Sequence, residues 1–299
     1  MTKVSYAGWK NCIRLSNGKI ELIATTDVGP RIIRLGFVNS QNFMKEYKQH
    51  LGLTGGKEWR IYGGHRLWHA PEDAVRTYWP DNTPVKARQE KNTLYLSQSV
   101  EGSTGLQKEI DITIDTREDS VTLVHRINNK NLWEVELSLW CLSVMSPGGR
   151  AIIPQEEFRP HPDYLLPARP VVLWHYTNMK DPRWIWGEKY IQLKQNTKYK
   201  SKQKVGLLNK KGWGAYYLNG ELFVKRYDYT PKAVYPDYGC NTELYTDQDM
   251  LEFETLSPVT RILPGGKVEH TEKWYLYKTS LTEDESELDK TIKPLFMSR

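Results

Sequence analysis

Hydrophobic and polar residues alternate with a period of two along most of this chain, which is typical of β-strands with one buried face. Before the C-terminal segment, no window sustains the 3.6-residue apolar period of a helix. Tight-turn sequences separate several of the alternating segments: Asn17-Gly18, Asn219-Gly220 and Pro264-Gly265-Gly266. The pattern predicts strands at residues 19–25, 30–37, 93–100, 106–115, 120–127, 134–145, 214–218, 222–226, 241–246, 250–256 and 267–278.

This series of strands predicts an all-β protein, a sandwich of antiparallel sheets. The 299 residues contain no internal repeat and no low-complexity linker. We therefore expect a single domain over residues 1–299 with one continuous core. The end of the chain is acidic and then weakly helical, so residues 279–299 are expected to form a C-terminal appendage.

Residues 147–190 break the alternation, because seven prolines interrupt any regular strand there. Long irregular connections in compact domains are usually functional or disordered. This one also contains Trp174, His175, Tyr176, Trp184 and Trp186. Its aromatic content favours a folded loop that packs over one face of a sheet.

The composition limits the choice of function. There are 11 Trp and 18 Tyr but only 6 Phe, and rings with a polar tip suit the faces of sugars as well as a large β-core. Much of the net charge of +6 lies in the lysine run at residues 194–204. Its lysines alternate with polar residues, so it is interpreted as a solvated edge or loop, and no nucleic-acid partner is predicted.

No stretch of the sequence is apolar for long enough to cross a membrane as a helix, and the start of the chain resembles no signal peptide. We expect no membrane association and a cytoplasmic location. Cys12, Cys141 and Cys240 are far apart and suggest neither a disulfide framework nor a thiolate zinc site. The oligomeric state is left open.

Two of the predicted strands carry polar groups on their non-core face. In 134–145, Ser138 and Trp140 alternate with a row of apolar residues, and in 250–256, Glu252 and Glu254 do the same. This face is either solvated or an open sheet surface where Trp140 stacks on a sugar. In 267–278, His270 and Glu272 fall among apolar neighbours, either as an internal pair or as part of the site.

Residues 62–72 concentrate His65, Arg66, Trp68 and His69 after the pair Gly63-Gly64, and we interpret the segment as a loop. The two histidines have the spacing of helical metal ligands, but the glycines and Pro71 disfavour a helix, so no metal site is predicted. Phosphate-binding, dinucleotide-binding, serine-hydrolase and zinc-protease motifs are absent. No cofactor is predicted.

Several motifs in their order resemble a bacterial branch of the galactose mutarotase-like, or aldose 1-epimerase-like, superfamily. They are Asp27-Val28-Gly29-Pro30-Arg31, Gly63-Gly64-His65-Arg66-Leu67-Trp68, His125-Arg126-Ile127-Asn128-Asn129, residues 139–149, residues 252–258 and Leu263-Pro264-Gly265-Gly266. The resemblance implies the β-sandwich (supersandwich) of that superfamily, with a concave sugar-binding face.

The resemblance also implies a mechanism. In aldose epimerases a late strand carries a Glu-Thr pair whose Glu removes the anomeric proton, and Glu254-Thr255 matches it here. A histidine on another strand protonates the ring oxygen. This chain has Leu139-Trp140-Cys141-Leu142 where that histidine motif is expected. His65 is the replacement candidate, followed by His69 and His175, and Glu254 and His65 must then meet on one sheet face.

We therefore expect a carbohydrate ligand bound around these catalytic candidates by Arg31, Arg66, Trp68, His69, Trp140, His175 and Glu252. Three functions remain open: an aldose or sugar-phosphate 1-epimerase, a non-catalytic sugar-binding or sensing protein, and a lyase or hydrolase of acidic saccharides. Arg31, Arg66 and Arg76 suit an anionic ligand, or else form internal ion pairs with Asp27, Glu72 or Asp73.

Overall fold

Nearly all of the regular structure is β-strand in the computed structural model, which describes residues 1–297. The strands are β1 Thr2–Tyr6, β2 Trp9–Ser16, β3 Ile20–Thr25, β4 Arg31–Phe37, β5 Gly64–Ala70, β6 Lys86–Glu90, β7 Thr93–Ser97, β8 Leu106–Ile114, β9 Ser120–Asn129, β10 Val135–Met145, β11 Arg150–Pro154, β12 Val171–Leu173, β13 Trp184–Trp186, β14 Tyr190–Lys194, β15 Gln203–Leu207, β16 Trp213–Leu218, β17 Glu221–Tyr227, β18 Thr242–Thr246, β19 Leu251–Leu256, β20 Thr260–Ile262 and β21 Lys267–Lys278. The helices are α1 Pro236–Gly239 and α2 Glu285–Met297.

Two antiparallel sheets contain these strands. Sheet I has the order β1-β2-β3-β4-β5-β10-β19-β18-β15-β12, with β20 also paired to β10. Sheet II has the order β13-β14-β11-β16-β17-β21-β9-β8-β7-β6. The predicted all-β antiparallel sandwich is confirmed.

The core lies between the two sheets and follows from the two-residue alternation. On β10, Leu137, Leu139 and Cys141 point into this core, while Trp140 and Leu142 lie on the opposite face. Each large apolar side chain buried this way contributes roughly 1.5–3 kcal/mol. The prediction that Trp140 lies on the non-core face is confirmed.

Some strands were not predicted from the pattern. The most important is β5, because we interpreted its residues as a loop after Gly63-Gly64. Both glycines have positive φ, and a Cβ on either would lie 1.9–2.2 Å from a backbone carbonyl oxygen. The glycine pair thus lets the chain turn closely into a central strand.

The proline-rich segment 147–190 contains the short strands β11, β12 and β13. Its residues Trp174 and Tyr176 line a cavity on sheet I, as expected for a folded loop over a sheet face. At the end of the chain, α2 packs Leu288 and Ile292 against Leu222 on the outer face of sheet II.

Within residues 1–297, no helix combines the length and the apolar composition that crossing a membrane requires.

Candidate functional site

Five neighbouring strands of sheet I present large polar and aromatic side chains on the face turned away from sheet II. Their pairing aligns Arg66 of β5 with Leu142 of β10, which in turn faces Glu254 of β19. Glu254 pairs with Glu243 of β18. Because paired residues of antiparallel strands share a face, the sheet itself brings these side chains into one row.

A cavity of about 480 Å³ lies over this row. Its wall is made largely of aromatic and charged side chains: Tyr47, Trp59, Arg66, Trp68, Glu72, Tyr78, Trp140, Trp174, Tyr176, Lys202, Lys204, Tyr245, Asp247 and Glu252, together with Ile61, Leu142 and Met250. Its volume is within the range of small-molecule sites.

One end of the cavity is aromatic. The rings of Trp68 and Trp140 meet edge to face with centroids 5.4 Å apart, and Tyr78 packs edge to face on Trp68 at 5.1 Å. Trp59 adds a further ring 5.7 Å from Trp68. Such edge-to-face contacts fix the planes of the rings, which makes this wall rigid.

Lys204 of β15 lies beside this aromatic group, between two carboxylates and two indoles. Its Nζ is 2.6 Å from Glu243 Oε2 and 3.2 Å from Glu254 Oε2. It also lies 4.9 Å from the ring centroid of Trp140 and 4.7 Å from that of Trp174. Despite its burial, the charges of Glu254 and Glu243 raise the pKa of the Lys204 ammonium well above its usual value.

A second ion pair joins Arg66 Nη2 to Glu252 Oε1 at 2.8 Å. The guanidinium lies 4.4 Å from the ring centroid of Trp68. Burial raises the pKa of Glu252, and the negative charge of Glu254 also raises it, whereas the positive charge of Arg66 lowers it. Burial likewise raises the pKa of Glu243, opposed by Lys204.

Several buried polar atoms at this site have no hydrogen-bond partner among the described residues. They include Arg66 Nε and Nη1, Trp59 Nε1, Glu254 Oε1 and Glu243 Oε1. Unpaired buried donors and acceptors are costly in a folded protein, at about 1–3 kcal/mol each. Donors and acceptors are therefore available here to a polar ligand.

Four of the residues predicted to bind the ligand form part of the cavity wall: Arg66, Trp68, Trp140 and Glu252. Glu254 is fully buried and lies one layer below the wall. Its Oε2 accepts a hydrogen bond from Trp140 Nε1 at 2.7 Å and another from Lys204. The pairing of β10 with β19 brings Glu254 and Trp140 together on the non-core face, to which the alternation assigned both residues.

His65 does not meet Glu254, contrary to the expectation. In strand β5 the side chains of His65 and Arg66 point to opposite faces, and His65 is fully buried between the sheets. Its contacts are Ser143 of β10 and His125 of β9 in sheet II. We expected residues 62–72 to form a loop, and side chains in a loop do not alternate between two faces. The wrong placement of His65 follows from that expectation.

His65 belongs to a hydrogen-bond network in the core. His125 Nδ1 donates to the carbonyl oxygen of His270 at 3.1 Å, so its Nε2 accepts from His65 Nε2 at 2.7 Å. Ser143 Oγ then donates to His65 Nδ1 at 2.8 Å. Burial lowers the pKa values of all three histidines, which keeps the rings neutral.

Glu272 anchors the same network. It accepts hydrogen bonds from Thr255 Oγ1 and Trp274 Nε1, and Lys225 Nζ lies 3.3 Å from its Oε1. Thr255 also bonds His270, so His270 and Glu272 form the internal arrangement that was one of the two alternatives. His65, His125 and Glu272 are close enough to hold a metal ion. However, Lys225 already supplies the positive charge there, and both histidines use both ring nitrogens.

The other predicted site residues lie outside the cavity wall. His69 is buried between the sheets, where burial and Lys108 lower its pKa to about 4. Arg31 is fully buried and bonds Asp81 Oδ2 and the carbonyl oxygen of Gly63, each at 2.6 Å. His175 is exposed in the turn between Trp174 and Tyr176.

The arginines considered for an anionic ligand have carboxylate partners within the protein. Arg31 pairs with Asp81, and Arg76 pairs with Asp73 at 3.5 Å. Arg66 pairs with Glu252, although part of its guanidinium stays unbonded. These contacts are internal ion pairs, although only Arg76 pairs with one of the carboxylates considered from the sequence, Asp73.

Lys204 and Glu243 were not identified from the sequence. Lys204 was grouped with the lysine run 194–204, whose members Lys198, Lys200 and Lys202 are indeed exposed. Lys204 is only 5% exposed, because it is already inside strand β15. The alternation of Lys204 with Val205 and Leu207 was the available signal.

Comparison with proteins of known structure identifies the fold to which this arrangement of sheets corresponds. No family model and no curated protein matches the sequence. A galactose mutarotase-like protein from Lactobacillus casei shares the fold with a TM-score of 0.59 at 9% identity, covering 89% of this chain and 100% of that one. A putative aldose 1-epimerase from Escherichia coli gives 0.53 at 12% identity, covering 90% and 99%. A putative mutarotase from Salmonella typhimurium gives 0.55 at 8% identity, covering 90% of each chain. The chain therefore has the galactose mutarotase-like fold.

Proposed function

We propose that the cavity binds an aldose and that the protein interconverts its two anomers, with Glu254 as the base. The observation that carries the proposal is the combination of rigid aromatic faces with unpaired buried polar atoms at one cavity. A sugar ring has an apolar face for Trp68 and Trp140 and a rim of hydroxyls for Arg66 and Glu254. The structurally similar mutarotase-like and epimerase-like proteins support the same ligand class.

The proposed role of Glu254 is to remove the proton of the anomeric hydroxyl. Trp140 and Lys204 hold its Oε2, which leaves Oε1 for the substrate. As the proton leaves, the bond between C1 and the ring oxygen breaks, and closure from the other side of C1 gives the opposite anomer.

The activity is tested by proton NMR exchange between anomer signals, with the purified protein and a panel of aldoses, aldose phosphates and oligouronides. Accelerated exchange for an aldose supports the proposal. New unsaturated products would indicate a lyase of acidic saccharides instead. No acceleration for any member of the panel would refute the epimerase.

The role of Glu254 is tested by comparing Glu254→Gln with Glu252→Gln. Both residues lie on the same face of β19, two positions apart, so the second variant is a matched control. We expect Glu254→Gln to lower kcat about 100-fold or more, since it removes a general base. We expect Glu252→Gln mainly to raise KM, because it removes the carboxylate charge of the ion pair that positions Arg66. The reverse pattern would assign the base to Glu252.

A non-catalytic sugar-binding protein is the second candidate. The observation that favours it is that, within residues 1–297, no histidine lines the cavity to serve as the expected acid. In the NMR experiment such a protein would shift the sugar signals without accelerating anomer exchange.

The buried cysteines are free, which supports our inference of a reducing compartment such as the cytoplasm.

A further inference from the structure

We propose that Lys204 is the group that protonates the ring oxygen of the sugar. The proposal rests on the epimerase function proposed above and identifies the acid for it. Lys204 is on the cavity wall, whereas the buried histidines of the core network lie between the two sheets.

Charged and aromatic neighbours hold the side chain of Lys204 in place. Its Nζ forms ion pairs with Glu243 and Glu254 and lies between the rings of Trp140 and Trp174. Two residues further along the same face, Gly206 leaves room for Trp174, whose ring would come within 3.2 Å of a Cβ there. The side chain is therefore held without large rotamer freedom, as proton transfer requires.

Other groups on the wall are less suited to the task. Arg66 does not release a proton in proteins. Among the described residues, no phenol of the wall is hydrogen-bonded to Glu254, and Tyr78 Oη donates to Glu72 instead. Unlike these groups, Lys204 is hydrogen-bonded directly to the proposed base at 3.2 Å.

This bond allows the protons to balance within the site. On ring opening, the proton of O1 moves to Glu254 Oε1, the C1–O5 bond breaks with its electron pair going to O5, and O5 takes a proton from the Lys204 ammonium. On closure, O5 attacks the other side of C1, its proton returns to the Lys204 amine, and Glu254 returns a proton to O1. No proton is gained or lost over the cycle, and no redox partner is needed.

The high pKa of Lys204 is compatible with this role. The atom that it protonates is a developing alkoxide, which is more basic than an amine. When Glu254 receives the anomeric proton, one of the two carboxylate charges beside Lys204 is neutralised. The pKa of the ammonium then falls at the step at which it must donate.

The test compares Lys204→Arg, Lys204→Met and the control Lys200→Arg with the wild-type protein. Arginine keeps the positive charge between the two carboxylates but does not release the proton. Lys200 is exposed in the turn before β15 and is not on the cavity wall. The rate of anomer exchange is measured by NMR with the aldose that the wild type turns over, as kcat and KM and as a function of pH.

We expect kcat of Lys204→Arg to fall about 100-fold or more with a much smaller change in KM, and Lys200→Arg to match the wild type. Lys204→Met should lose activity as well, although it leaves two carboxylates without their cation. The wild-type kcat should stay level between about pH 6 and 8, since no histidine titrates in the reaction.

A kcat of Lys204→Arg equal to that of the wild type would overturn the assignment of Lys204 as the acid, but not the proposed epimerase activity. A fall of the wild-type kcat above a pKa near 6.5 would do the same and point to a histidine. If the wild type exchanges no anomers at all, the proposed function fails and this inference fails with it. The pH profile needs no variant, so it decides even if both Lys204 variants misfold.

Discussion

Trp140 combines two contacts that can be separated by substitution. Its ring forms part of the cavity wall against Trp68, and its Nε1 donates to Glu254 Oε2. Trp140→Phe keeps an aromatic ring but removes a charge-assisted hydrogen bond worth about 1.5–3 kcal/mol. We expect kcat to fall at least tenfold while the affinity for the sugar, measured by calorimetry, changes little.

Trp140→Ala serves as the comparison, because it removes the ring as well. The side chain is only 4% exposed, so we expect a loss of about 3–5 kcal/mol of stability, measured by urea unfolding, and weak sugar binding. If Trp140→Phe loses sugar affinity as severely as Trp140→Ala, the indole contacts the sugar through its N–H and the stacking role is wrong.

At the scale of elements, α2 acts as a cover for the outer face of sheet II. Leu288 and Ile292 are fully buried there, and Glu285 Oε1 accepts hydrogen bonds from the backbone of Lys189 and Tyr190. We therefore expect Leu288→Ala to lower the free energy of unfolding by about 2–5 kcal/mol. Urea unfolding monitored by circular dichroism measures the change.

The matched control on the same helix is Lys290→Ala. Lys290 is 70% exposed and, among the described residues, forms an ion pair only with Glu287 one turn away, so a change below about 1 kcal/mol is expected. Equal, small effects of both substitutions would show that the helix does not contribute to the folded core. The segment would then be the loose appendage expected from its acidic composition.

The whole molecule should lose stability in acid, because the space between its sheets holds neutral histidines. The pKa of His270 is lowered to about 4 by burial, and the pKa values of His65 and His125 are also lowered. The unfolded chain binds protons below its histidine pKa of about 6.5, while the folded protein does not. Stability is therefore complete above about pH 6.5 and falls below it, by about 1.4 kcal/mol per pH unit for each such histidine.

Urea unfolding between pH 7 and 5 measures this slope. His125→Gln should reduce it by about one proton, whatever its effect on the absolute stability. A free energy of unfolding that stays constant from pH 7 to 5 would contradict the neutral histidines. Glu272 acts in the same direction at lower pH, because Lys225 and the histidines help to hold its pKa below its usual value despite its burial.

The alternation of polar and apolar residues by itself determined the class of the fold and the faces of β10, β19 and β21. It is a local property, and the side-chain direction in a strand repeats every two residues. It therefore placed Trp140, Glu252 and Glu254 on the non-core faces of their strands, but it left open whether His270 and Glu272 form an internal pair or part of the site. The motifs that resemble mutarotases added the fold family.

Only the tertiary structure decided which strands are neighbours. Glu243 and Lys204 meet Glu254 because β18 and β15 pair beside β19, and strand order is not encoded in local periodicity. His65 moved to the core because a segment that looked like a glycine-rich loop is a central strand. Because successive side chains of a strand point to opposite faces, His65 and Arg66 lie on opposite sides of sheet I. His65 therefore belongs to the core, and Arg66 belongs to the cavity.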